Sequence, residues 1–133
     1  MYTVASIEYA VKHLGTKVIV VLGHQGCGAV TAAVGGGDHG HNLNHLLAHV
    51  TPAVIAAKDG AGINEVVRLN AQLTVKELIG RSSIIAKATG DGTGDFQVVP
   101  AYYNLDSGRV DFLPGVNGIK GMEVDTYECP PQA

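Results

Sequence analysis

Lys17-Val-Ile-Val-Val-Leu-Gly-His24-Gln-Gly-Cys27-Gly-Ala29 decides how this chain is read. Lys17 to Leu22 is an unbroken run of β-branched and leucine side chains behind one lysine. That is the pattern of a strand buried on both faces of a parallel sheet. It gives way to a polar loop broken by Gly23, Gly26 and Gly28, and the loop carries a histidine and a cysteine three residues apart. In open α/β sheets the chemistry lies just past the carboxyl ends of the strands. His24 and Cys27 fall there.

On the amino-terminal side, Ala5 to Leu14 is expected to be a short helix, with Val4, Ile7, Val11 and Leu14 on one stripe and Gly15 behind it as a left-handed stop. On the other side, Ala29 to Val34 is a short small-residue helix whose first amides would face the loop and favour a thiolate or an anion there. Gly35 to Gly40 connects it to a helical stretch, Asn42 to Lys58, in which Pro52 starts a second segment or kinks the first. Ile63 to Ile79 is the clearest helix, ended by Gly80, and Ser82 or Ser83 caps another through Ala88. Phe96 to Asn104 reads as a strand. Its Pro100 predicts an edge or bulged position. Asp106-Ser107-Gly108 turns it into a second arm, Arg109 to Leu113. After Pro114 the glycine- and proline-rich residues 114–133 are expected to form an extended tail over a surface or a partner. The sum is an α/β fold with a mixed sheet, a parallel central strand and an antiparallel hairpin at the end, in one domain over residues 1–133. One obvious central strand is few for such a sheet, so further strands are hidden, missing or supplied by another copy of the chain.

The bulk numbers narrow the function. The chain has 133 residues, enough for a real core, with net charge −3 and no basic cluster, which argues against nucleic acid as a partner. No apolar run approaches the roughly 20 residues of a membrane helix. Met1-Tyr-Thr-Val has neither a basic nor an apolar leader, and two cysteines 102 positions apart make no disulfide framework. A cytoplasmic, reducing setting is the expectation.

Thiolate and imidazole are natural zinc ligands, and a short loop can aim both at one ion. Against that stands a small buried thiol and a histidine that only bonds backbone. A catalytic zinc usually has three protein ligands and one open position. Candidates for a third by residue type are Cys129, in the tail, and the group His39, His41, His45 and His49. The last three recur every four residues and share one helical face, which equally suits a solvated polar surface. Asp38 could assist a proton transfer or serve the turn it sits in. Glu8 and Arg68 could pair across elements, and Tyr9, Tyr102 and Tyr103 suit core or interface positions.

These residues carry a family resemblance. Ser6-Ile-Glu-Tyr-Ala-Val, the stretch Val18 to Val30 with its Gly-His-x-x-Cys-Gly core, Glu65 to Leu73, and Val99 to Phe112 together are similar to β-class carbonic anhydrases. The match runs from Val4 to Leu113 around an unusual middle, Gly35 to Gly62. It implies that His24 and Cys27 hold Zn2+ and that the activity is reversible hydration of CO2 to bicarbonate by zinc-activated water. It implies a dimer or larger homo-oligomer. In that family a second cysteine ligand and an Asp-Arg dyad come from an upstream Cys-x-Asp-Ser-Arg motif, which these 133 residues do not contain. The alternatives that follow are an inactive homologue serving as an oligomeric binding module, and a hydrolase of CS2 or COS.

Overall fold

The computed structural model describes residues 2–90 and 94–115. In chain order they form helix α1 (Tyr2–His13), strand β1 (Val18–His24), helices α2 (Gly28–Gly35), α3 (His41–Ala48), α4 (Thr51–Ala56), α5 (Ile63–Arg81) and α6 (Ser83–Thr89), and strands β2 (Gln97–Tyr103) and β3 (Val110–Phe112). The sheet order is β1-β2-β3, with β1 parallel to β2 and β2 antiparallel to β3. The expected α/β class and mixed sheet are present. The extended tail beyond Gly115 lies outside the described residues.

Helix α5 is the spine. Val67, Ala71, Val75 and Leu78 are spaced four, four and three apart, so they form one buried stripe. The front half of the stripe joins Val30, Val50, Ala53, Tyr102 and Leu113. The rear half joins Ile85, Phe96 and Val98. Val4, Ile7 and Val11 of α1 pack on that rear cluster, while Leu14, expected on the same stripe, is exposed. The backbone has already left the helix there, and Gly15 takes a φ of 68°. Gly23 lets β1 and α5 touch: a Cβ at that position would stand 2.8 Å from Val67 Cγ1.

Three expectations are corrected. First, β1 is not buried on both faces. Ile19 and Val21 face the core that α5 lines, but Val18, Val20 and Leu22 on the opposite face remain 49%, 44% and 51% exposed. Among the described residues β1 is the edge of the sheet and β2 its centre. A continuous apolar run reports that both faces are apolar, not that one chain covers both.

Second, Pro100 lies in the central strand, opposite Val21. Its carbonyl accepts from the Leu113 amide just past the end of β3. A residue's N–H and C=O point to the same side of a strand, so the donor that proline lacks falls where the short β3 ladder has already ended. No β1–β2 bond is lost.

Third, Gly80 does not end α5, which runs on to Arg81. Arg81 pairs with Glu77 one turn earlier at 2.8 Å. The stop is Ser82, which is extended (φ −118°, ψ 110°) and caps α6 by accepting from the Ile85 amide at 3.2 Å. Pro52, by contrast, starts a new helix, as the first-turn preference of proline allows.

Candidate metal centre

The sheet brings His24 to the carboxyl end of β1, opposite Tyr103 on β2. Cys27 follows at the N-cap of α2, where a helix dipole favours negative charge. His24 is exposed and Cys27 is half-buried as a free thiol against the front core cluster. The two residues between them are pinned from both sides. The Gln25 amide donates to the Tyr103 carbonyl at 2.9 Å. The Gln25 side chain donates through Nε2 to Asp106 Oδ2 and accepts through Oε1 from the Leu105 amide, each at 3.0 Å. Gly26, at a φ of 66°, donates its amide to Asn64 Oδ1 of α5 at 3.1 Å. Thr31 closes the next turn by donating from Oγ1 to the Cys27 carbonyl at 2.8 Å.

This frame fixes one chemical detail. His24 Nδ1 lies 3.0 Å from the carbonyl oxygen of Gln25. A carbonyl oxygen can only accept, so Nδ1 carries the hydrogen, and the neutral ring presents its lone pair on Nε2. That is the state a metal-ligating histidine needs: one nitrogen bonded to a backbone carbonyl, the other a donor. An imidazole nitrogen and a thiol sulfur on one short loop are a donor set suited to zinc.

The other expected residues go elsewhere. Among the described residues no three His, Cys, Asp or Glu side chains form a group able to hold a metal ion, so neither His39 nor His41 joins His24 and Cys27. Cys129 lies outside the described residues. His39 Nε2 bonds the Gly36 carbonyl at 3.0 Å. The His45 and His49 rings meet edge to face at 5.6 Å, and His49 Nδ1 lies 3.8 Å from Glu77, on an exposed polar surface. Asp38 is a turn residue: it accepts from the Gly40 amide at 2.9 Å and from Asn44 Nδ2 at 2.8 Å, which holds its carboxyl below the ordinary value. Glu8 and Arg68 each reach another element, but through separate partners. Glu8 accepts from Ser82 at 2.6 Å, and Arg68 sits 3.8 Å from Asp111 and 4.2 Å over the buried Tyr102 ring. Tyr9 is exposed. A cleft of ≈ 330 Å³ between α4 and α5, with Lys58, Glu65 and Arg68 in its wall, includes neither His24 nor Cys27.

Sequence reading missed Gln25, Asn64 and Asp106, the residues that hold the loop. The signal was available in part. An amide side chain directly between the histidine and the glycine of the motif offers both a donor and an acceptor. The polar turn after β2 is its natural counterpart.

Comparison with known proteins shows the family and the fold. The carbonic anhydrase family model matches residues 1–110. A carbonic anhydrase of Mycolicibacterium smegmatis is 38% identical over 113 residues, covering 80% of this chain and 53% of that protein. Carbonic anhydrase 2 of Mycobacterium tuberculosis is 37% identical over 125 residues, covering 90% and 59%. Among solved structures, one of two tetrameric β-carbonic anhydrases from Sordaria macrospora superposes with a TM-score of 0.72 at 27% identity, covering 84% of this chain and 59% of that one. A β-carbonic anhydrase of Aspergillus fumigatus gives 0.68 at 29% identity, covering 90% and 57%. The fold and the loop define an α/β protein of the β-carbonic anhydrase type. The chain belongs to the β-class carbonic anhydrase family, and it spans between half and three fifths of the length of the curated relatives it matches.

Proposed function

We propose that this chain carries the histidine-cysteine half of a zinc site, with His24 Nε2 and Cys27 Sγ as ligands, and that its reaction is the reversible hydration of CO2 to bicarbonate. The observation that carries the reading is the His24–Gln25 hydrogen bond, which commits Nδ1 to the backbone and leaves Nε2 as the donor atom. When bound, zinc supplies a nucleophilic water at neutral pH, for which carbonic anhydrases are the standard example. The protein's part is to hold the ligands. The Gln25 and Asn64 contacts fix the loop, and the Thr31 hydroxyl fixes the turn that follows Cys27. A third ligand would come from outside the described residues.

The reading includes a single domain over residues 1–133 and a homo-oligomer. Val18, Val20 and Leu22 support the latter: among the described residues they leave an apolar face on β1 open, a feature that proteins normally cover. No helix of the described residues is long and apolar enough to cross a membrane. A free Cys27 thiol suits a reducing cytoplasm.

Stopped-flow CO2 hydration by the zinc-loaded protein tests the activity. A rate above buffer that disappears in His24→Ala and Cys27→Ser is the expected result, and the same assay with COS and CS2 separates those substrates. A protein that binds no zinc and gives no rate above buffer would overturn it in favour of an oligomeric binding module.

A further inference from the structure

We propose that Gln25 is a positioning residue that sets the tautomer and direction of His24, with Asp106 as its anchor on the β2–β3 turn. The inference rests on the reading of His24 as a ligand but adds what makes it one.

Every polar group of Gln25 is engaged. Its amide bonds Tyr103, its Oε1 accepts from Leu105, its Nε2 donates to Asp106, and its carbonyl receives His24 Nδ1. Three of these bonds run to one place, the end of β2 and the turn after it. The fourth runs to the histidine. A peptide carbonyl points where its flanking groups force it. With the amide and side chain of Gln25 both tied to residues 103–106, the carbonyl has little freedom to turn away from the imidazole. Asp106 is itself held, its amide donating to Asn104 Oδ1 at 3.0 Å. The hairpin turn, distant in sequence from the loop, thus sets which His24 nitrogen is protonated. Partners of this kind that fix a ligand's tautomer change metal affinity by about 10- to 100-fold when removed.

The direct readout is the His24 tautomer in metal-free protein, from long-range ¹H–¹⁵N correlation at a fixed pH where the ring is neutral. Wild type is expected to show the Nδ1–H form. Gln25→Ala and Asp106→Ala are expected to show a mixture of both forms, and Asp106→Asn, which keeps an acceptor oxygen, to return towards wild type. Co2+ affinity should fall by about tenfold in the two alanine variants and recover in Asp106→Asn. A merely structural role would lower stability while leaving the tautomer alone. An unchanged tautomer in both folded alanine variants, or an Nε2–H form in wild type, would overturn the proposal. If wild type fails to bind Co2+ while the tautomer shifts as expected, the positioning role stands and the metal reading falls.

Discussion

Gly23 and Val67 are in such close contact that the space between strand β1 and helix α5 has no room for one methyl group: a Cβ on Gly23 would lie 2.8 Å from Val67 Cγ1 and 3.4 Å from the Val67 carbonyl. Val67 is buried and β-branched, so its side chain cannot swing away cheaply. This contact sits one residue before His24 and sets the depth at which the loop leaves the sheet.

Gly23→Ala is therefore expected to destabilise the protein by about 1–3 kcal/mol, the usual cost of forcing a methyl into a packed core. Pairing it with Val67→Ala should recover part of the loss, because the offending atom is gone. Urea unfolding of the two single variants and the double variant measures both. Additive losses would show that the contact is not the cause.

Ser82 joins two elements, α6 and α1, through one hydroxyl. It caps α6 through Ile85 and donates to Glu8 of α1 at 2.6 Å, and it is almost fully buried. Ser82→Ala removes a cap and a hydrogen bond to a carboxylate together, a loss of about 2 kcal/mol. Hydrogen exchange should show α1 amides opening more readily in the variant. A loss confined to α6, with α1 protection unchanged, would contradict the link.

Asp38 gives the pH dependence. Its carboxyl is held below the ordinary 3.8, first by the Gly40 amide, then by Asn44, with a smaller contribution from His39. A carboxyl depressed in the folded state contributes stability above its unfolded value and loses it as the pH falls through the folded value. The contribution of Asp38 to the loop before α3 should thus be constant near neutrality and be lost only in acid. A ¹³C carboxyl titration should place the Asp38 midpoint below 3.8 and move it upward in Asn44→Ala. A midpoint at or above 3.8 in wild type would contradict the hydrogen-bonded turn.

Much of this was legible in the chain. The existence of α5, the Pro52 helix start, the Ser82 cap and the β2–β3 hairpin follow from local chemistry, and local chemistry is what periodicity and turn residues report. The face that α5 buries was read only in part: Ile63, Val66, Val67, Asn70, Leu73 and Glu77 suggest one flank, whereas the buried residues are Val66, Val67, Ala71, Val75 and Leu78. What could not be read were relationships set by tertiary context. Pro100 passed for an edge residue because its missing donor is harmless only when β3 is as short as it is. The run Val18 to Leu22 passed for a doubly covered strand because an apolar face looks the same whether this chain or another molecule covers it. At the site, His24 and Cys27 were conspicuous by type. Gln25, Asn64 and Asp106 were not, since amides and carboxylates in loops are ordinary until their partners are known.

The proposed function requires that His24 and Cys27 grip one divalent ion together. The measurement that tests it most directly is a Co2+ titration of chelator-stripped protein, followed by the sulfur-to-metal charge-transfer absorption in the near ultraviolet. A saturable band is expected in wild type, abolished in Cys27→Ser and weakened to non-saturation in His24→Ala. A folded wild type with no band, or a band that survives Cys27→Ser, would contradict it.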